Sequence, residues 1–142
     1  MVDELKIERH DRVTVFTLNR PTRHNALNTS LCTDLKEAVR EFSADNTQRV
    51  LIITGGGEKA FCSGVDLLEM QNPSEGGQAL PTAPDQHILG IGICEKPVIA
   101  AINGLAVGAG LELALCCDFR LAAETAWFAL PEVEHGFLAG VD

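Results

Sequence analysis

The stretch 98–118, V-I-A-A-I-N-G-L-A-V-G-A-G-L-E-L-A-L-C-C-D, constrains this chain more than any other. Its first five residues are a short apolar run, the pattern of a buried strand. Gly104, Gly108 and Gly110 then interrupt it as a glycine loop and let backbone approach a neighbour closely. From Gly110 through Cys117 the pattern is helical and almost wholly apolar. Glu112 is the exception. At helical spacings of three and four its neighbours are Gly108, Ala109, Leu115 and Cys116, so it lies on no polar stripe. No Lys or Arg lies between Lys96 and Arg120. Burying an ionised carboxylate without a partner is costly, and the usual response is a raised pKa. Two readings follow for Glu112: an acid that exchanges protons near neutral pH beside a glycine turn, or a structural Glu that reaches a backbone amide or a distant Arg.

The remaining chain supplies strands and helices in alternation. Residues 5–9 alternate apolar and polar, His10-Asp11 fits a turn, and V-T-V-F-T-L at 13–18 is a second strand, so the two predict a hairpin. Asn28, Thr29 and Ser30 are candidate helix caps. Leu31, Leu35, Ala38, Val39 and Phe42 then mark one face of an amphipathic helix reaching about residue 44. R-V-L-I-I-T at 49–54 is a buried strand closed by Gly55-Gly56-Gly57. Phe61 anchors a loop, Gly64 permits an unusual backbone angle, and 65–70 reads as a short helix. Residues 72–84, with three prolines and two glycines, are a loop. Residues 85–94 read as helical, 119–122 and 127–129 as short strands. Strand-to-helix alternation predicts an α/β fold. Both glycine loops join a strand to a helix, so both can present amides at one edge of a sheet, where α/β folds bind ligands.

Composition excludes several functions. Of 142 residues, 46% are hydrophobic, which is a globular composition. The net charge of −9, with no basic patch beyond Arg20, Arg23 and His24, argues against nucleic-acid binding. No apolar run reaches the length of a membrane span. The charged, acidic opening M-V-D-E-L-K-I-E-R-H-D is unlike a secretory signal. Five cysteines without a C-x-x-C motif favour reduced thiols and a cytoplasmic location. Cys62 beside Phe61 reads as packing, with a nucleophile as the alternative. The four histidines are scattered without metal-ligand spacing, so no metal site is implied.

Four segments in order carry a resemblance: L-N-R-P (18–21) with N-A-L-N (25–28), T-G-G-G-E-K-A-F-C-S-G-V-D-L (54–67), K-P-V-I-A-A-I-N-G-L-A-V-G-A-G-L-E-L-A-L-C-C-D (96–118) and F-A-L-P-E-V (128–133). The chain resembles the crotonase superfamily, the enoyl-CoA hydratase/isomerase family. The resemblance implies a crotonase-like α/β fold of repeated ββα units, a spiral sheet with flanking helices. It implies an oxyanion hole for a thioester carbonyl, built from the backbone N–H groups of Val65 and Ala109. Preorganised amides of that kind stabilise an enolate by a few kcal/mol each. Where a glycine is common in the family, Ala109 stands here; its methyl is compatible with an ordinary backbone angle. Coenzyme A would lie along Ala26, Ser63, Val65, Asp66, Leu67, Leu68 and Ala109 as part of the substrate, with no separate cofactor.

The family's hydratases resemble each other in carrying two glutamates, which match Glu112 and Glu132. The pair would bracket a water that adds to a trans-2-enoyl-CoA and yields a 3-hydroxyacyl-CoA. Isomerases that shift a Δ3 double bond need only the later acid, so the presence of both favours hydration. A catalytically silent fragment that binds acyl-CoA or a partner chain is the other alternative, and a plain structural domain the third. Family domains continue past this point and assemble as trimers or hexamers. The expectation is therefore one crotonase-like core over 1–142, the N-terminal part of the fold, incomplete at its C-terminal side, with a homo-oligomer as its assembly. Ala139 also stands where the family usually has proline.

Overall fold

The computed structural model describes residues 3–71 and 88–136. Within them one plan recurs: two strands, then a helical segment. The first unit is β1 (Leu5–His10), β2 (Val13–Leu18) and α1 (Thr29–Ala44), with a 3-10 turn at Pro21–Arg23 before the helix. The second is β3 (Val50–Gly55), β4 (Ala60–Cys62) and α2 (Leu67–Gln71). The third is β5 (Val98–Ile102), β6 (Leu105–Val107) and α3 (Ala109–Leu115). The fourth is β7 (Phe119–Ala122), β8 (Trp127–Ala129) and a 3-10 turn at Pro131–His135.

Strands β1-β2-β3-β5-β7 form one sheet and β4-β6-β8 a second. The β1–β2 hairpin is antiparallel and every other described pairing is parallel. From the second unit onward, the first strand of each unit extends the larger sheet and the second extends the smaller one. This is the crotonase-like α/β arrangement that the resemblance implies. Among the described residues no helix is long and apolar enough to cross a membrane.

Alternation fixes which face of the larger sheet is buried. Phe16 and Leu18 of β2, Leu51 and Ile53 of β3, and Val98, Ala100 and Ile102 of β5 all enter the core. Leu31, Leu35, Ala38, Val39 and Phe42 of α1 belong to the same core, and all five were legible from helical spacing. Asn28 caps this helix: Leu31 N–H donates to its Oδ1 at 2.9 Å. The Lys96 ammonium donates to the carbonyls of Phe42 and Asp45 at 2.7 Å each, tying the other end of α1 to the approach to β5.

Passing from one sheet to the other bends the backbone away from ladder pairing, and its polar groups need other partners. Two asparagines supply them. Asn25, fully buried with φ 57, donates from Nδ2 to the carbonyls of Gly56 (3.0 Å) and Ala60 (2.8 Å). Asn103 donates to the carbonyls of Gly55 and Gly57 at 2.9 Å each and accepts from Gly55 N–H at 3.0 Å.

Several elements differ from expectation. Residues 60–62 and 105–107, expected as loop, are strands. Three residues among glycines are too few to show a period, and parallel pairing with each other makes them strands. The apolar helix runs over Ala109–Leu115 and stops before Cys117. Its continuation is pulled into β7: Asp118 N–H donates to Val98 O at 2.9 Å, and Val98 N–H donates to Asp118 Oδ2 at 2.8 Å. Of the helix expected over 85–94, the described part is a 3-10 segment, Ile88–Ile93, broken at Leu89 (φ 59) and Gly90 (φ 84). The loop at 72–84, residues 85–87 and Ala139 lie outside the described residues. The short helix begins at Leu67 and not at Val65, which pairs with Leu27.

Leu35 is completely buried in the α1 face of the core. Its replacement by Ala removes that packing and leaves a cavity. Leu35→Ala is expected to lower the unfolding free energy by about 2–5 kcal/mol, read as a lower denaturant midpoint with unchanged slope.

Candidate active site

The first amide turn follows β4. Ser63 N–H donates to His24 O at 3.0 Å, and Gly64 takes φ +92. Leu27 then forms an isolated parallel bridge with Val65. Leu27 N–H donates to Gly64 O at 2.7 Å, and Asp66 N–H donates to Leu27 O at 2.9 Å. The bridge therefore uses the residues on either side of Val65 and turns its N–H away from Leu27. Among the described residues that N–H has no acceptor.

The second amide turn follows β6. Gly108, with φ 54 and ψ −129, precedes α3, and Ala109 is the first helical residue. An N–H in that position has no acceptor within its own helix. Ala109 is not among the residues with positive φ, so its methyl sits on an ordinary backbone, as expected.

Parallel pairing of β4 with β6 brings both turns to the same sheet edge. They touch there. A Cβ on Gly64 would lie 2.8 Å from Val107 O and 3.4 Å from Ala109 N. Gly110 is packed harder still: a Cβ there would run into the Cys62 carbonyl oxygen. Glycine at 64 and 110 is what lets the two turns close on each other.

Gly108 meets the segments that carry both acids. Glu112 N–H donates to Gly108 O at 3.0 Å, in the first turn of α3. Glu132, in the Pro131–His135 turn after β8, lays its carboxylate on the Gly108 α-carbon, where a Cβ would be 2.6 Å from Oε1. Gly108 N–H donates to Ala129 O at 2.9 Å and so ties β8 to this point. The Oε2 atoms of Glu112 and Glu132 are both shielded from solvent, and that of Glu132 takes no hydrogen bond from the described residues.

The other expected site residues divide by environment. Ala26 and Asp66 are buried and Ser63 is half-buried. Leu67 and Leu68 open α2 to solvent. The Asp66 side chain is committed to the protein: Oδ2 pairs with Arg20 Nη2 at 2.9 Å and Oδ1 accepts Leu68 N–H at 3.2 Å. Burial pushes its carboxyl up, but the Arg20 and Leu68 hydrogen bonds and the charges of Arg20 and Arg23 outweigh this and hold it below the usual carboxylate range. Cys62 is wholly buried, and burial pushes its thiol up to about 12, which removes the nucleophile alternative. Glu134 is exposed.

Three residues that shape the site have no role assigned from sequence: Arg20, Asn25 and Asn103. Their signal is present in L-N-R-P, N-A-L-N and A-I-N-G, polar residues beside turns and next to apolar strands. Their partners are 30 or more residues away for both asparagines and for the Arg20–Asp66 pair, and spacing alone does not reach that far.

Comparison with known proteins gives the family. The family model described as Enoyl-CoA hydratase/isomerase matches residues 8–142. The chain belongs to that family. It is 42% identical over 139 residues to crotonyl-CoA hydratase of Syntrophomonas wolfei, covering 97% of this chain and 54% of the relative. It is 43% identical over 136 residues to (E)-benzylidenesuccinyl-CoA hydratase of Thauera aromatica, covering 96% and 53%. The crystal structure of an enoyl-CoA hydratase from Bacillus anthracis superposes with a TM-score of 0.86 at 33% identity, covering 97% of this chain and 54% of that one. The chain thus spans about half the length of the curated relatives it matches.

Two outcomes follow for this family member. Gly108→Ala forces a side chain onto an angle that disfavours it and into the Glu132 carboxylate, and it is expected to lower the melting temperature. The loss shrinks in a Glu132→Ala background; an equal loss in both backgrounds would leave the backbone angle as the sole cause. Asp66 has a folded-state pKa below its unfolded value, so its contribution is present above the unfolded pKa and lost as pH falls through the folded one. The stability gap between the wild type and Asp66→Asn is therefore expected to be full above about pH 5 and to close below about pH 4. Denaturant titrations across pH read it.

Proposed function

We propose that this chain carries the reacting centre of an enoyl-CoA hydratase. The N–H groups of Val65 and Ala109 receive the thioester oxygen of a trans-2-enoyl-CoA. Water adds its oxygen to the β-carbon and gives up a proton, electron density collects on the thioester oxygen as an enolate, and a proton returns to the α-carbon. Glu112 and Glu132 carry out the two proton transfers as a pair. The amides act where negative charge develops. Coenzyme A enters as part of the substrate along Ala26, Ser63, Leu67 and Leu68, and no separate cofactor is used.

The observation that carries this reading is the Glu132 carboxylate packed on Gly108, directly before the Ala109 amide. Glu112 follows Gly108 by one turn of α3, and the Ala109 amide is the proposed second donor. Two acids at that point support hydration over a double-bond shift, which needs one. Relatives named as hydratases of crotonyl-CoA and (E)-benzylidenesuccinyl-CoA support the same choice. A homo-oligomer belongs to the proposal too. Phe119, Leu121 and Trp127 on β7 and β8 are each at least 60% exposed and offer apolar surface for it, read by sedimentation velocity.

The test follows loss of the conjugated enoyl thioester chromophore and formation of the 3-hydroxyacyl product. Glu112→Gln and Glu132→Gln are each expected to lower kcat by about 10²–10⁴-fold without lowering the melting temperature. Unchanged turnover in either variant, or double-bond migration without water uptake, would overturn the reading.

A further inference from the structure

Two peptide units join the Arg20 guanidinium to the Val65 amide. Arg20 Nη1 donates to Ala26 O at 2.6 Å. That carbonyl belongs to the peptide whose N–H is Leu27, and Leu27 N–H donates to Gly64 O at 2.7 Å. The Gly64 carbonyl in turn belongs to the peptide whose N–H is Val65. In a trans peptide the C=O and N–H point in opposite directions, so a hydrogen bond received on one side fixes and polarises the donor on the other. The result is one line: guanidinium, Ala26–Leu27 peptide, Gly64–Val65 peptide, and the Val65 N–H at its end.

We propose that Arg20 is a positioning residue for the Val65 amide, aiming and polarising that N–H through this relay. The inference rests on the oxyanion role proposed for Val65 and adds the residue that tunes it. Arginine suits the place because its planar fork holds three acceptors at once. Besides Ala26 O, Nε donates to Glu4 Oε1 and Nη2 to Asp66 Oδ2, each at 2.9 Å, and the side chain is only 12% exposed. Asp66 closes the line from the far side of Val65, through its own N–H to Leu27 O. The Arg20 backbone is held as well: its N–H donates to Asn25 Oδ1 at 2.9 Å, and Asn25 N–H returns to Arg20 O at 2.9 Å. The guanidinium therefore cannot swing away from Ala26 without breaking several bonds, and neither can the turn it serves. Gly64, at φ +92, has no side chain of its own to hold the peptide plane, so the plane is held from outside.

Arg20→Lys keeps the positive charge and loses the fork. With it, kcat for hydration is expected to fall about tenfold while KM stays within about threefold, because a misaimed donor loses transition-state stabilisation first. The amide resonances of Leu27 and Val65 shift, and those of Ala109 and Glu112 stay in place. Glu4→Gln supplies the structural comparison. It weakens another arm of the same guanidinium but leaves the Ala26 bond, so stability falls while kcat and the Val65 resonance stay near wild type. Equal Val65 shifts in the two variants, or a rise in KM alone, would overturn the proposal. If Arg20→Lys does not fold, the wild-type chain decides: scalar coupling across the Leu27 N–H to Gly64 carbonyl bond supports the relay, and its absence overturns it. A wild-type chain without turnover counts against the proposed function, while the resonance measurements still decide the relay.

Discussion

The contact between two glycine turns is the constraint on which the rest of this structure depends. Gly64 lies against Val107 O and the Ala109 amide, and Gly110 lies against the Cys62 carbonyl. Neither approach survives the addition of a methyl group without movement. Because β4 and β6 run parallel, both turns leave the sheet at the same edge and meet there. The repeat of two strands and a helix is what produces that parallel pair. The site is thus a consequence of the fold plan, with glycine supplying the clearance.

Polar side chains hold this arrangement where strand pairing cannot. At each crossing between sheets the backbone loses its ladder partners, and an unpaired buried amide or carbonyl costs about 1–3 kcal/mol. Asn25 and Asn103 fill that need at the β3–β4 crossing, one from the segment before α1 and one from the turn before β6. Arg20 fills it at the Ala26 carbonyl and, through Asp66, at the start of α2. Asn25 is buried and Arg20 and Asn103 are half-buried, and they join elements from three of the four ββα units. Apolar burial makes the sheet and α1 stable; these bonds decide where the turns point.

Much of the fold was legible residue by residue. The alternation of β2, the five-residue face of α1 and the apolar run of β5 all appear in the core where periodicity placed them. The glycine turns were legible as turns, and Glu112 stood out as an acid without a polar stripe. Periodicity missed β4 and β6 of the second sheet, because three residues among glycines carry no period and the two gain their identity from parallel pairing. It also ran α3 past its end, because the apolar pattern continues to Cys117 while Asp118 is already bonded to β5. Arg20, by sequence, was one of three basic residues in a cluster; its partners are at positions 4, 26 and 66.

By itself, the sequence determined the α/β alternation, the α1 face, the two glycine turns and the unusual setting of Glu112, because each depends on neighbours within a few residues, while Glu132 was marked by the family resemblance. Only the tertiary structure decided that Glu132 rests on Gly108 and that the two amide turns touch. Those relations join positions 24 to 48 residues apart, through parallel pairings that no local pattern encodes. The Gly108 that reads locally as a helix breaker is, in three dimensions, the surface on which a distant carboxylate sits.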